Sequence, residues 1–472
     1  MAISQRKSAD RGAVVEALSA ALGPHTVRTD APSLRATSQD TWPLATKRAM
    51  IGQYPNQADV VVAPQQVDQI SEVLRIATEH RVPVTVRALA SSVTGQPLPV
   101  NGGIVLDVSA LPAQFEVDER NLTVTATASQ NGGELEDALR DRGLTLGHSP
   151  QSLYRSTVGG WVATLATGQF SSLYGGIEDL VVGYTVTLPT GERVELNASP
   201  RAAMGPDLRQ VFIGSEGTLG VITSVTLKVF PVPEAELLET VAMPDVAAGL
   251  EFMRAQAAAG LRPSLMRFYD TEEARHAMQD PTFPTPVLFL GSRGPAALAR
   301  VEMEVLTDLA TAHGGKVLGQ EGAAAWMGRR FDFSSVEKRL AEPGGYAETI
   351  EVAHVWSEVG ALHAALKAAL EPYAEEVLGH FSHVYTQGTS LYLILFGRAA
   401  DDAQAVSRLE TIWKVAMDVC LEHGAELSHH HGGGLARSPY ARRSLGSAHV
   451  VLRRLKSALD PAGILNPGKL GL

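Results

Sequence analysis

Three consecutive histidines, His429, His430 and His431, run directly into three glycines, Gly432 to Gly434. Packing explains such a run poorly, because on an extended chain successive side chains point to opposite faces. Imidazoles act as general acids and bases or as metal ligands, and both readings stand at this point. Two more histidines, His380 and His383, lie upstream in GHFSHVY, and Tyr385 and Tyr392 flank that region. A strand tyrosine commonly packs its ring and leaves its hydroxyl at the rim.

Four further segments are rich in glycine or hydroxyls and sit at the ends of expected elements, where ligand sites gather. Arg87–Gln96 (RALASSVTGQ) follows the strand VPVTV; it is either a Ser/Thr-rich turn or a loop whose backbone N–H groups wrap a phosphate. Pro150–Gly160 (PQSLYRSTVGG) offers the hydroxyls of Ser152, Ser156 and Thr157, and Gly159 and Gly160 allow close approach to a flat or charged ligand. The third segment is Ser172–Val182 (SLYGGIEDLVV). In the fourth, Ile213–Thr223 (IGSEGTLGVIT), Gly214, Gly217 and Gly220 punctuate a strand-like run. Glycine inside a strand costs roughly 0.5–1 kcal/mol against alanine. Three so close together point to backbone pressed against something, most simply a cofactor, with a bulged turn as the alternative. No G-x-G-x-x-G follows the first strand, and neither a Walker A motif nor a G-x-S-x-G elbow occurs, so dinucleotide-fold, P-loop and hydrolase readings lack support.

These segments need a large scaffold, and 472 residues supply one. A single cysteine, Cys420, excludes a disulfide framework and a Cys-rich zinc site. The net charge of −11 is spread over mixed acidic and basic residues, with no basic run of the nucleic-acid type. No apolar stretch is long enough to span a membrane, the N-terminus has no signal-peptide core, and KLGL is not a peroxisomal address. The expectation is a cytoplasmic enzyme.

Residues 12–22 read as a helix, and 33–58, broken by Pro43 and Pro55, as a loop. Strand 59–62, the amphipathic helix 66–80 and strand 82–86 read as a βαβ unit. Strands are expected at 104–108, 122–127, 180–188, 211–213 and 221–230, and helices at 133–140 and 448–459. Residues 234–427 alternate Ala-rich helices with strands such as 286–290 and 391–396, a second α+β unit.

Taken together, DVVVAPQQVDQISEVLRIATEHRVPVTVR, STVGGWVATLATG, DLRQVFIGSEGTLGVITSVTLKVFP and LDPAGILNPGKL resemble the flavoenzyme superfamily of vanillyl-alcohol oxidase and p-cresol methylhydroxylase, over nearly the whole chain. Within it, SLYRSTVGGW, YGGIEDLVV, SLYLILF and SHHHGGG are similar to the alkylglycerone-phosphate synthase branch. The related D-2-hydroxyacid dehydrogenases have Glu-His-Gly where this chain reads His430-His431-Gly432.

The resemblance implies an α+β fold: a two-subdomain FAD-binding domain of the PCMH type over residues 1–233 (core 55–233), an α+β cap or substrate domain over 234–427, and a segment 428–472 returning to the FAD domain. FAD would lie with its pyrophosphate against Arg87, Ala88, Ala90, Ser91, Ser92 and Gly95 and against Pro150, Gln151, Ser152, Ser156 and Thr157, near Gly159 and Gly160. Thr164, Thr167, Glu216, Gly217, Gly220, Val221 and Ile222 would complete the cofactor site. In the synthase branch the tyrosine matching Tyr392 serves as acid/base and the histidine run lines the site, so those roles pass to Tyr392, His429, His430 and His431. The implied partners are a small-molecule substrate, oxygen or another electron acceptor, and a second copy of the chain in a homodimer; nucleic acid and an integral membrane are not among them.

Three departures shape the expectation. The family's glycine triplet reads Ala88-Leu89-Ala90 here. A Cβ in left-handed geometry costs roughly 1–2 kcal/mol per residue, so the loop is expected to hold ordinary angles or to stand off the phosphates, with Ser91, Ser92, Thr94 and Gly95 as donors. The loop has no histidine and Cys420 lies in a helical stretch, so FAD is expected to be non-covalent. Leu435 stands where the synthase has a cation, although Arg437 is kept, which argues against a phosphate-bearing substrate; Arg329, Arg330 and Arg339 are candidate substrate arginines. The leading reading is hydride transfer from an alcohol or hydroxy acid to FAD, without a metal. The alternatives are synthase-like flavin-adduct chemistry, a metal-assisted dehydrogenase using His380, His383 and His430, and a binding protein that has lost its flavin.

Overall fold

The computed structural model describes residues 11–472. It has three principal sheets. The first has four strands in the order Val27–Arg28, Val60–Val62, Ile104–Asp107, Val84–Arg87. Both Val60–Val62 and Val84–Arg87 run parallel to Ile104–Asp107, which lies between them, so the expected βαβ crossover skips one strand. The crossover helix Val67–His80 buries Ile70, Val73, Leu74, Ile76 and Ala77, and a capping box between Gln66 and Gln69 starts it. Helix Arg11–Leu22 joins the same core through Val14, Leu18 and Leu22.

Residues 33–58 are not one loop. Helices Ala31–Ala36 and Pro43–Met50 occupy much of the segment, with Pro32 and Pro43 in their first turns. Proline is pre-organised for that position, so a residue read as a breaker is a helix start.

The second sheet is antiparallel, in the order Phe115–Asp118, Thr123–Thr127, Val221–Lys228, Val181–Thr187, Arg193–Leu196. The expected strand at 211–213 is instead the end of a 3₁₀ turn, Leu208–Val211, and Phe212 and Ile213 fill the adjoining core as turn residues.

The third sheet has seven strands, all antiparallel: Lys316–Gly319, Ala235–Ala242, Val287–Gly294, Leu265–Tyr269, Glu376–Val384, Gly388–Arg398, Gly345–Val355. Its core includes helices Trp356–Leu370 and Asp402–Glu422. Helix Pro43–Met50 crosses over to this unit, where the buried Lys47 ammonium meets Asp402 at 2.8 Å.

The last residues travel back to the first sheet. The N–H of Val84 donates to Ile464 O at 2.8 Å, that of Asn466 donates to Val84 O at 2.7 Å, and Ile464 and Leu465 are buried in that sheet's core.

Candidate active site

A row of side chains crosses four neighbouring strands of the seven-stranded sheet. Tyr269 pairs with His380, His380 with Tyr392, and Tyr392 with Glu351. Directly opposed residues of antiparallel strands project to the same face, so all four stand together.

Glu351 is fully buried and organises the histidine run. Its carboxylate accepts the backbone N–H groups of His429 (2.5 Å), His430 (3.2 Å) and His431 (2.8 Å) and the hydroxyl of Ser428 (2.8 Å). The Arg437 guanidinium lies 3.3 Å away. Burial pushes this carboxyl up, but Arg437 and its other neighbours outweigh that and hold it well below the usual carboxylate range. Three successive N–H groups turned onto one anion bend the chain into a nest. The alternation of an extended run is therefore lost, and the three rings gather in one cluster.

Within the cluster, the His429 and His430 rings are 5.1 Å apart and those of His430 and His431 4.5 Å apart, centre to centre. His383 stacks on His429 at 4.9 Å and meets the edge of His430 at the same distance. It reaches them because it stands at a bulge in its strand with φ of +55°. A bulge re-aims a side chain, and a left-handed histidine is strain retained where the surroundings demand it. The hydrogen bonds are specific: Tyr385 Oη to His429 Nε2 at 2.7 Å, His429 Nδ1 to His430 Nδ1 at 2.9 Å, and Ser171 Oγ to His383 Nδ1 at 2.8 Å. Burial lowers His429 and His430 to about 3 and His431 to about 4, and drives His383 well below the ordinary value, so all four are neutral near pH 7.

One nitrogen from each of His383, His429 and His430 falls within 4.8 Å of the others. His380 is not in that group, so the expected metal set of His380, His383 and His430 is not assembled. Its Nδ1 faces Glu273 at 2.8 Å and its Nε2 faces Arg267 at 2.7 Å. Arginine only donates, so His380 accepts at Nε2 and carries its proton on Nδ1, toward the carboxylate. Its ring stacks on Tyr392 at 4.7 Å, 15° from parallel. The Tyr392 phenol, pushed up by burial, stays protonated.

Arg267 is the cation of this face, and sequence reasoning missed it. It also donates to Tyr269 Oη at 2.8 Å and lies 4.9 Å over the Trp326 ring. The candidate arginines are engaged elsewhere: Arg329 with Ala277 O, Arg330 with Met327 O, and Arg339 with Glu375. Arg267 is the one charge in the apolar strand LMRFY, a pattern that could have exposed it.

The expected cofactor loops converge, though several of their residues bind protein. In the loop after Val84–Arg87, Ala90 takes φ of +54°, so the loop does enter the left-handed region despite its Cβ. Ser92 Oγ and the Gly95 N–H both donate to buried Asp40 at 2.9 Å, and Thr94 Oγ1 pairs with Gln96 and His431 O, which removes three of the four expected donors. Arg87 donates to Gln39 O and Ala36 O. The backbone N–H groups of Leu89, Ala90, Ser91 and Ser92 meet no acceptor among the described residues. Four successive unpaired N–H groups fit an anionic pyrophosphate, as Ala88 and its neighbours were expected to do.

In the second segment Pro150 is buried and Gln151 exposed. Ser156 Oγ bonds Ser152 O and the Trp161 indole N–H, and Thr157 caps helix Val158–Thr164 through Gly160 N–H at 3.2 Å. Thr164 Oγ1 returns to Gly160 O, and Thr167 is buried. A Cβ at Gly159 would sit 2.4 Å from that of Ala128, and one at Gly220 would sit 2.5 Å from Val186 Cγ2. These two glycines thus serve helix and strand packing, where a ligand contact was expected. Gly217 holds φ of +69° in a turn above Val86, and Val221 and Ile222 are core residues. Glu216, itself at φ of +51°, is a tie: its carboxylate accepts from Gly433 N–H (2.5 Å) and Gly434 N–H (3.0 Å), and its carbonyl accepts from Asn466 Nδ2 (2.6 Å).

A model of the FAD binding domain matches residues 58–197, and a model of the C-terminal domain of FAD linked oxidases matches 232–470. The chain is 31% identical to the FAD-linked oxidoreductase YgcU of Escherichia coli K12, over 98% of this chain and 99% of that one. It is 27% identical to the alkyldihydroxyacetonephosphate synthase of Dictyostelium discoideum, over 90% of this chain and 75% of that one. Its fold is similar to that of p-cresol methylhydroxylase in the crystal structure with substrate bound: TM-score 0.83, 16% identity, 99% of this chain and 98% of that one. The chain belongs to the FAD-linked oxidoreductases, an enzyme family that uses FAD, and it is built on the p-cresol methylhydroxylase fold.

Proposed function

We propose that this enzyme oxidises the C–H bond of an alcohol or 2-hydroxy acid. FAD, when bound, supplies the two-electron acceptor for the hydride. In this reading the N–H groups of Leu89–Ser92 hold its pyrophosphate, and residues 234–427 form the cap that covers the substrate. The chain's part in the chemistry is the proton and the orientation. His430 Nε2, which has no protein partner among the described residues, takes the substrate hydroxyl proton as the carbonyl forms. Tyr392, kept protonated, donates a hydrogen bond to the same oxygen, and His431 packs edge-on to the Tyr392 ring at 5.4 Å. Arg267 orients an acidic group on the substrate, which favours a hydroxy acid over a neutral alcohol.

The observation that carries this reading is the cluster of neutral imidazoles around Tyr392 with one cation beside it. The test is an absorption spectrum of the purified protein, followed by anaerobic titration with a panel of primary alcohols, secondary alcohols and D- and L-2-hydroxy acids. Bleaching of the flavin by at least one member, with carbonyl product, is expected. A flavin that none of them bleaches would sink the reading. Aerobic and anaerobic reoxidation then separates oxygen from another electron acceptor, and gel filtration tests the homodimer.

A further inference from the structure

The hydrogen bonds of the histidine cluster form an unbroken line from its centre to the surface. His430 Nδ1 meets His429 Nδ1 at 2.9 Å, His429 Nε2 meets Tyr385 Oη at 2.7 Å, and Tyr385 is 37% exposed. We propose that Tyr385, His429 and His430 are a proton relay that carries the substrate's hydroxyl proton out to solvent. The proposal rests on the oxidation reading above and adds the route the proton takes.

Two Nδ1 atoms at hydrogen-bond distance share one proton, so the tautomers of His429 and His430 are coupled. In the starting arrangement His430 carries its proton on Nδ1 and donates it to His429 Nδ1. His429 then carries its own proton on Nε2 and donates to the hydroxyl of the partly exposed Tyr385. As the C–H hydride leaves with its electron pair, the O–H bond of the substrate breaks and its proton joins His430 Nε2. The Nδ1 proton of His430 passes to His429 Nδ1, the Nε2 proton of His429 passes to Tyr385, and Tyr385 releases its proton to water. One proton enters, one leaves, and both rings end neutral with their tautomers exchanged.

That neutrality is what the site requires. A lone His430 that kept the proton would be an imidazolium in a buried cluster beside two further imidazoles, a cost that the Glu351 carboxylate 3.7 Å from its Nδ1 offsets only in part. A weak base works here only if it hands the proton on. The remaining parts of the cluster serve the line. Glu351 holds the backbone of both relay histidines, and His383, fixed by Ser171, covers the face of His429. Tyr385 is itself held in a tight turn, its N–H donating to Gly388 O at 2.9 Å.

The decisive variant is Tyr385→Phe in the flavin-loaded protein, because the ring that packs 5.5 Å from His429 is kept and only the hydroxyl is lost. Ring ¹⁵N spectra of histidine-labelled protein need no substrate. The expected result is that Tyr385→Phe shifts the tautomer balance of His429 and His430 together. In stopped-flow with the reductant that bleaches the flavin best in the panel above, flavin reduction should slow at least about tenfold with substrate affinity unchanged, and added imidazole should restore part of the rate. An unmoved His430 signal overturns the relay, as does an undiminished rate. Failure of every panel member to bleach the flavin overturns the oxidation reading instead, whatever the spectra show, and is thereby distinguishable. Loss of the wild-type His429–His430 coupling after treatment with a chelator would show a metal between them and would also overturn the relay.

Discussion

His380 and Tyr392 lie face to face on neighbouring strands, their ring centres 4.7 Å apart and 15° from parallel. Glu273 and Arg267 fix the His380 ring from both ends, so the phenol has a rigid floor. Tyr392→Phe keeps that stack and removes one hydroxyl. Flavin content should match wild type, and the rate of flavin reduction by the best panel substrate should fall about 10²–10³-fold. Unchanged stopped-flow rates would remove Tyr392 from the chemistry.

Glu351→Gln should be far more damaging than its size suggests. It leaves buried Arg437 without its countercharge, a loss of about 3–5 kcal/mol. The pH dependence follows from a carboxyl held below its ordinary value of 4.5. Its stabilisation is complete above that value and disappears as pH falls below it. Urea midpoints measured from pH 7 to pH 3 should therefore drop more steeply for wild type than for the variant. Parallel curves would contradict the assignment.

Ala90→Gly should raise stability. A left-handed alanine costs roughly 1–2 kcal/mol, and the extra freedom of an unfolded glycine cancels about 0.5–1 of that, so a net gain of up to about 1.5 kcal/mol is expected. Thermal unfolding of the FAD-loaded protein reads the gain. A fall in the unfolding temperature would show that the loop needs its Cβ.

Acid precipitation should release all flavin into the supernatant. The loop after Val84–Arg87 offers no histidine, and Cys420 is buried in the core of the seven-stranded sheet with its thiol pushed up to about 12. Such a thiol is neither accessible nor a thiolate. Yellow colour remaining on the pellet would refute non-covalent binding.

Elements governed by local pattern could be read from residues alone: the helix at 67–80 shows its apolar stripe, and the histidine run declares itself by identity. Those set by distant partners could not. Nothing in the local pattern around Glu348 and Glu351 marks them for the interior, yet both are fully buried. Their spacing of three places them on opposite faces, so one at least had to point inward. Gly159 and Gly220 read as ligand contacts because nothing local names Ala128 or Val186 as the atoms they make room for. Pro43 reads as a breaker because its helix is held by tertiary packing more than by propensity.

The tie made by Asn466 has a consequence for the order of events during synthesis. This residue joins Val84, Gln96 and Glu216, and Glu216 in turn holds Gly433 and Gly434 beside the histidines. Partners separated by 370 and 250 positions cannot meet while the chain is still growing through the intervening stretch. At about 5–20 residues per second, the early sheets exist for many seconds before residue 466 emerges. The loops proposed to hold FAD are thus completed only once residue 466 has emerged. Flavin supply therefore acts after that point, and lesions around Asn466 should yield folded sheets that never become yellow.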